Sequence, residues 1–197
     1  MSIRGWVRTL LRPSARFSLG ALLLAGIVVG AVGVPAFTFV IHETSTDAFC
    51  LLCHDRDIGL EMAGRPHNDN ATGLRVACAD CHLPHAFWPK VIAKTKAGVK
   101  DVYHHILGTI DTPEKFEAHR MHMAMLTWAA MNENDSRECR YCHDTSKWVL
   151  AQQGEKAQRF HAPAMASGKT CINCHKGIAH HLPEGIGADH EIEGLDP

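Results

Sequence analysis

The sequence predicts a mainly α-helical chain, with a single N-terminal transmembrane helix followed by one compact helical domain. Three observations predict this fold class. An uncharged apolar run occupies residues 17–41. The rest of the chain lacks the alternating apolar and polar pattern of strands. The motif Cys-x-x-Cys-His occurs four times after the apolar run. A chain of 197 residues has room for about one domain beyond such a run. We therefore expect a basic tail at residues 1–16, an anchor at 17–41 and a domain at 42–197.

The apolar run is long enough to cross a bilayer. Its 25 residues, at about 1.5 Å each, exceed the roughly 30 Å of a hydrocarbon core. Four arginines precede the run and the first acidic residue is Glu43, so the positive-inside rule predicts a cytoplasmic N-terminus and an external domain. A cleaved signal peptide is the alternative, because Ala31-Val32-Gly33 resembles a cleavage site, but its apolar region would be much shorter. The arginines are Arg4, Arg8, Arg12 and Arg16.

The four motifs account for all eight cysteines of the chain. Two thiols three residues apart can each form a thioether to one haem, while the histidine that follows binds the iron. A zinc site has no need of a histidine directly after every cysteine pair, and a thioredoxin-like motif would occur once. We therefore predict four covalently bound haem c groups. Their attachment residues are Cys50, Cys53, Cys78, Cys81, Cys139, Cys142, Cys171 and Cys174, and the motif ligands are His54, His82, His143 and His175.

The spacing of the motifs indicates a duplicated two-haem unit. Their first cysteines lie at 50, 78, 139 and 171, which sorts the motifs into haem pairs at residues 50–85 and 139–181. Each pair has a histidine between its motifs, His67 in the first and His161 in the second. Low-spin electron-transfer haems take a second strong axial ligand. The repeat therefore favours His67 and His161 as such ligands, followed by His180, while His85 is a candidate for another haem or for a propionate.

Helical patterns fill the segment between the pairs. Asp111-Thr112-Pro113-Glu114 is a typical helix start, and the helix is predicted to run to about Met131. Residues 88–105 form a second predicted helix, and residues 145–160 a third. The second helix carries a basic stripe. This stripe is either a solvated face or has a role at the membrane surface or at a quinol site. The stripe consists of Lys90, Lys94, Lys96 and Lys100.

The charge balance argues against nucleic acid as a partner. Four of the 20 basic residues lie in the tail, whereas all 21 acidic residues lie beyond it, which leaves a net charge of −5 on residues 17–197. Haem propionates would add to it. The lipid of the membrane is an expected partner through the anchor, and the Gly26-x-x-x-Gly30 pattern leaves a homodimer open.

With the anchor, motifs and spacings in place, the chain resembles the NapC/NirT family of membrane-anchored tetrahaem c-type cytochromes, which also contains NrfH. The resemblance covers nearly the whole chain. It is most specific in three stretches, CADCHLPH at residues 78–85, DTPEKFEAHR at 111–120 and CINCHKGIAH at 171–180. These stretches point to the NapC branch.

The resemblance implies a quinol dehydrogenase that oxidises menaquinol or ubiquinol beside the first haem and passes electrons to a periplasmic reductase. For the NapC branch the implied partner is the periplasmic nitrate reductase with its cytochrome subunit. The implied location is the bacterial inner membrane, crossed once, with the haem domain in the periplasm. The resemblance also implies three haems with two histidine ligands, whose distal ligands match His67, His161 and His180.

The first haem of the family is implied to be high-spin and to lie beside the quinol site. Many members carry Met two residues after the first motif's histidine, where this chain has Arg56, so we expect His54 to bind the first iron. Asp101 matches the family's acidic residue near that haem, and we expect it to accept or relay quinol protons. The family's basic partner lies six residues earlier, at Thr95 here, so we expect the neighbouring Lys94 or Lys96 to substitute for it.

Two other functions stay open. One is a multihaem reductase that acts directly on nitrite or hydroxylamine, although such enzymes commonly mark the catalytic haem with Lys and all four motifs here keep His. The other is electron donation to a different periplasmic reductase, for nitrite or TMAO. Apart from quinol oxidation at the first haem, the expected activity is that of an electron carrier.

Overall fold

The computed structural model describes residues 16–54 and 56–187, and in that part of the chain all regular structure is helical. The prediction of a mainly α fold is confirmed. The chain divides into two compact units, residues 1–43 and 44–197. Arg4, Arg8, Arg12 and His190 lie outside the described residues, as does the side chain of Arg56. The helices are α1 (Leu19–Glu43), α2 (Asp47–Cys50), α3 (Arg56–Leu60), α4 (Cys78–His82), α5 (Phe87–Ile106), α6 (Pro113–Glu133), α7 (Arg137–Cys142), α8 (Glu155–Ala166) and α9 (Cys171–Cys174), with 3-10 turns at Thr145–Lys147 and Leu150–Gln152.

Helix α1 forms the first unit and is long and apolar enough to cross a membrane. Its side chains are exposed along almost its whole length, as suits a helix surrounded by lipid. It contains Pro35, and the hydroxyl of Thr38 donates to the carbonyls of Val34 and Pro35 at 3.1 and 2.9 Å. A hydroxyl that binds carbonyls of the preceding turn is a common accompaniment of proline in membrane helices.

Helices α5 and α6 lie close to the predicted positions. The hydroxyl of Thr112 accepts a hydrogen bond from the backbone N–H of Lys115, and Pro113 occupies the first turn, so α6 begins where the sequence indicates. Between the two helices Gly108 has a φ of 60°, a left-handed conformation that a residue without a side chain adopts readily. This turn ends α5 and lets the chain begin α6.

The predicted helix at residues 145–160 is wrong over its first half. Two short 3-10 turns occupy this segment, and Trp148 and Val149 between them have extended backbone conformations. Helix α8 begins only at Glu155, after Gly154, and continues to Ala166. Aromatic and β-branched side chains lose rotamer freedom in a helix, and contacts elsewhere in the fold can outweigh a weak helical pattern.

The second unit has a small apolar core in its described part. Trp128 of α6 and Ile172 of α9 form its centre, with Phe116 the other buried apolar residue. The backbone N–H of Ile172 donates to the hydroxyl of the fully buried Ser136 at 3.1 Å. Ser136 lies in the turn between α6 and α7, where its φ of 48° is left-handed. This turn therefore fixes the fourth motif against the helix that precedes the third.

Candidate functional site

Three of the four motif histidines each face one other imidazole ring. The ring centroids of His82 and His180 lie 6.2 Å apart. Those of His143 and His67 lie 6.1 Å apart, and those of His175 and His161 lie 6.0 Å apart. The structure thus brings together the three histidines favoured by the repeat with three different motifs.

These separations fit an iron placed between the rings. An iron bonded to two imidazoles lies about 2 Å from each ligating nitrogen, and each nitrogen lies about 1 Å from its ring centroid, so the centroids stand about 6 Å apart. Among the described residues, no group of three or more His, Cys, Asp or Glu side chains could hold a metal ion. The paired imidazoles therefore suit the two axial positions of a haem iron better than the four-ligand shell of zinc.

Burial favours the neutral form of four of the six paired imidazoles. It lowers the pKa of His82 to about 4, with a smaller contribution from the facing His180. Burial also lowers the pKa of His180, His67 and His175 below the usual value. Because only the neutral ring offers a lone pair to a metal, these pKa shifts favour ligation.

The ring of His161 has its orientation fixed by an amide. Its Nδ1 lies 2.7 Å from Oε1 of Gln153, and since an amide oxygen only accepts, Nδ1 carries the proton and Nε2 keeps its lone pair. This is the arrangement by which outer partners orient a metal-binding histidine. No sequence pattern points to Gln153, which lies in the loop before α8 and belongs to no motif.

A second outer group surrounds His180. Glu61 is 8% exposed and lies 3.7 Å from Nδ1 of His180. Its carboxylate accepts from Arg120 at 2.5 Å and from the backbone N–H of His181 at 2.8 Å. The hydrogen bonds from Arg120 and His181 hold the pKa of Glu61 below its usual value in spite of burial. No motif marks Glu61 either, because the contact joins segments far apart in the chain.

The first motif differs from the other three, because a carboxylate and not an imidazole faces its histidine. Nε2 of His54 lies 3.8 Å from Oδ2 of Asp101 on α5. Two metal bonds of about 2 Å would span about this distance. The first motif therefore presents one strong nitrogen donor and an acidic group opposite it.

Lys94 and Lys96, the two candidates for the basic partner of Asp101, have different surroundings in the structure. Lys94 donates to the carbonyl of Thr44 and lies 5.8 Å from the ring centroid of Phe49, beside the first motif. Burial lowers its pKa, whereas the nearby Cys50 thiol opposes that shift. Lys96 is exposed, and the hydroxyl of Thr95 donates to the backbone of its own helix. Lys94 and Asp101 are seven residues apart and so share one face of α5.

The motif helices follow one another through the fold. Asp47 of α2 accepts a hydrogen bond from the backbone N–H of Cys78 at 2.8 Å, which joins the first motif to the second. Helix α4 packs against α7, the helix of the third motif. The third and fourth motifs meet through a contact between Cys139 and Cys171. The attachment points therefore form a continuous row in chain order.

Two other histidines have contacts that do not place them opposite a motif histidine. The ring of His85 stacks on Tyr141 of the third motif, with centroids 3.6 Å apart, and its Nε2 is buried without a hydrogen bond. His119 is exposed, and its Nδ1 binds the carbonyl of Lys115 in its own helix. Neither has the ring-to-ring geometry of the three pairs.

A row of haem-attachment motifs in contact serves electron transfer, so the class of protein is a membrane-anchored c-type cytochrome with four haems. Residues 12–185 match the family model described as "NapC/NirT cytochrome c family, N-terminal region". The chain therefore belongs to the NapC/NirT cytochrome c family. The predictions of this family and of a tetrahaem electron-transfer protein are confirmed.

Three relatives illustrate the match. The denitrification system component NirT of Stutzerimonas stutzeri is 43% identical over 189 residues, covering 95% of this chain and 94% of that one. The cytochrome c-type protein NapC of Escherichia coli K12 is 44% identical over 175 residues, covering 88% and 87%. A tetraheme cytochrome c-type protein of Allochromatium vinosum is 47% identical over 169 residues, covering 85% and 91%.

Proposed function

We propose that this protein is a quinol dehydrogenase that passes electrons from membrane quinol through four c-type haems to a periplasmic reductase. The observation that carries the proposal is the asymmetry of the motif histidines. Three face an imidazole, whereas His54 faces the carboxylate of Asp101. Two imidazoles suit an iron that only transfers electrons, and a carboxylate suits the site where a substrate also loses protons.

The proposed ligand sets follow the facing rings. His82 with His180, His143 with His67, and His175 with His161 would hold the second, third and fourth irons. His54 would hold the first iron, with no second imidazole. The eight motif cysteines would attach the haems through thioethers. When bound, each haem takes up and gives on one electron at a time.

At the quinol end, the residues of α5 have separate roles. Quinol oxidation releases two protons, and the half-exposed carboxylate of Asp101 would accept them one at a time and pass each to solvent. Lys94 would orient the quinol oxygen by donating a charge-assisted hydrogen bond, a role that suits its partly buried position beside the first motif. We assign the basic role to Lys94 and not to Lys96 because Lys94 lies on the same helix face as Asp101.

Location and partner complete the proposal. The helix α1 would cross the bacterial inner membrane once, with the tail in the cytoplasm and residues 44–197 in the periplasm, as the arginine distribution supports. The electron acceptor would be a periplasmic nitrate reductase with its cytochrome subunit, because NapC and NirT are among the relatives. Nitrite and TMAO reductases are the other acceptors in view.

A two-step reduction experiment tests this function. The purified protein in detergent is mixed with reduced menaquinol or ubiquinol analogues, and haem absorbance is followed. We expect reduction of the haems by quinol, then reoxidation by a periplasmic nitrate reductase complex but not by nitrite alone. Steady nitrite consumption without a partner protein would instead identify a direct reductase, and oxidised haems after addition of either quinol would exclude quinol oxidation.

A further inference from the structure

Helix α5 carries an exposed apolar stripe on a face that the proposed electron path does not use. Its members recur at helical spacing and lie within about 60° of one another around the helix axis, at 100° per residue. A continuous apolar face of this kind on a protein surface usually marks an interaction site. The stripe consists of Trp88 (68% exposed), Ile92 (54%), Val99 (72%), Tyr103 (60%) and Ile106 (77%).

The stripe points away from the first motif. Lys94 and Asp101, which contact that motif region, lie about 150° around the helix from the centre of the stripe. One face of α5 is therefore occupied by the haem-attachment site, and a different face presents apolar side chains along the length of the helix. Packing against the first motif does not explain the stripe.

Helix α5 is hydrogen-bonded, through its eighth residue, to the residue that directly follows the anchor helix. Lys94 donates a hydrogen bond to the carbonyl of Thr44, and Thr44 is bonded directly to Glu43, the last residue of α1. A helix that spans a bilayer ends at its surface. Position 94 of α5 is therefore one hydrogen bond and one peptide bond from the end of the anchor helix, which supports a place for α5 near the membrane surface.

The composition of α5 suits that surface. Trp88 and Tyr103 belong to the two residue types enriched where hydrocarbon meets headgroups. Lys96 and Lys100 lie beside the stripe and are exposed, as cationic side chains that meet anionic headgroups must be. A protein–protein interface, by contrast, would be expected to be depleted in lysine.

We propose that the apolar stripe of α5 lies on the phospholipid surface of the membrane, so that α5 is an interfacial helix. An interfacial helix buries its apolar face about 5–10 Å into the headgroup boundary. The opposite face, with Lys94 and Asp101, then points away from the lipid and toward the first motif. The lipid contact itself depends only on the anchor, so it stands or falls separately from quinol oxidation.

Single-cysteine labelling of the full-length holoprotein tests the lipid contact. On the proposed haem attachment the native cysteines are thioethers, so an added thiol is the reactive one. The variants Val99→Cys and Ile106→Cys are compared with Phe160→Cys, an equally apolar and exposed position (59%) on α8. Each is placed in nanodiscs of mixed phosphatidylcholine and phosphatidylglycerol and treated with a charged maleimide, and labelling is followed by mass spectrometry.

We expect labelling at positions 99 and 106 to be at least about tenfold slower than at position 160, because a charged reagent is excluded from hydrocarbon. A lipid-soluble maleimide should label all three positions readily. Equal rates with the charged reagent would overturn the proposal. Protection at positions 99 and 106 against both reagents, or only after a periplasmic reductase is added, would show a protein contact and overturn it as well. Haem absorbance and quinol oxidation of each variant are recorded separately, so loss of activity is not confused with loss of lipid contact.

Discussion

At the scale of single residues, the first motif differs from the other three because a carboxylate, and not an imidazole, faces its histidine. Asp101 and His54 are half-exposed and 3.8 Å apart, whereas the ring of His82 is buried enough for its pKa to fall to about 4. The difference in solvent access matches the difference in proposed role. A site for substrate must admit both quinol and protons, whereas a site that only relays electrons gains from excluding water.

Replacing Asp101 tests the proton-accepting role. We expect Asp101→Asn to keep four haems but to lower the rate of quinol oxidation about 100-fold or more, because the amide cannot accept a proton. Stopped-flow haem reduction measures the rate, and a haemochrome spectrum counts the haems. The control is Asp69→Asn, which removes an exposed carboxylate in the loop before the second motif. An unchanged rate in the Asp101 variant would remove this residue from the mechanism.

Replacing Lys94 tests the choice between the neighbouring lysines. We expect Lys94→Gln to lower kcat/KM for quinol about 10- to 100-fold, the effect of losing a charge-assisted hydrogen bond worth about 1.5–3 kcal/mol. Lys156→Gln, an exposed lysine on α8, serves as the matched control and should retain the parent value. An equally large loss in Lys96→Gln, with Lys94→Gln unaffected, would contradict the assignment.

Adjacent histidines allow a direct test of the proposed ligand of the second iron. We expect His180→Ala to raise the high-spin ferric signal in electron paramagnetic resonance from one haem in four to two, because the facing imidazole is lost. His181→Ala removes a more exposed neighbouring ring and should leave the signal at one haem in four. If the second variant gained the extra signal and the first did not, the ligand sets would have to be exchanged.

The sequence predicts the candidates for the distal haem ligands but not which motif histidine each one faces. The repeat selected His67, His161 and His180 from the eleven remaining histidines, and these are the three that face motif histidines. It left the pairing open because a repeat describes positions along the chain and not contacts across it. Glu61 and Gln153 escaped notice for the same reason, since a carboxylate or an amide outside any motif acquires its role only from what the fold places beside it.

At the scale of the elements, local signals predicted helices where the chain carries its own start and stop residues. Thr112, Pro113 and Gly108 define the boundary between α5 and α6 without help from the rest of the fold. The segment at residues 145–160 has a cap at its start, where Asp144 accepts from the backbone N–H of Ser146, but the 3-10 turn that follows ends at Lys147. Its first half is set by tertiary contacts, including the tilted ring pair of Trp148 and His161, which the sequence pattern does not describe.

The turn between α6 and α7 controls how the third and fourth motifs are joined. We expect Ser136→Ala to lower the free energy of unfolding by about 1–3 kcal/mol, because the buried N–H of Ile172 loses its acceptor. Ser167→Ala, which removes an exposed hydroxyl after α8, should change it by less than about 0.5 kcal/mol. Thermal unfolding of both holoproteins measures the difference, and equal stabilities would show that the buried hydrogen bond contributes little.

At the scale of the whole molecule, the membrane helix and the haem-carrying unit have separable tasks. Every facing pair of site residues lies within residues 44–197, the second compact unit. The described residues of the first unit, 16–43, take part in none of these pairs. On the proposed function, this unit would keep the second one near a substrate dissolved in the bilayer, an effect of local concentration.

A chain that begins at Thr44, exported through a cleavable leader, tests this division. We expect it to carry four haems with unchanged absorbance, and to be reduced by a soluble chemical reductant as fast as the full chain. With quinol embedded in vesicles its reduction should be at least about tenfold slower, because an interfacial helix alone binds lipid reversibly. Loss of haems from this shortened chain would mean that the anchor also shapes the haem sites.

The ring pairs that cross between the two halves of the chain set an order in time. On the proposed ligand sets, the third iron would take its distal ligand from His67, which is synthesised early, and the second iron would take its distal ligand from His180, which is synthesised nearly last. The second haem can thus be attached long before its coordination is complete. Residues 171–180 would therefore complete the second and fourth haem sites almost together, and assembly of the four-haem chain would finish only with this segment.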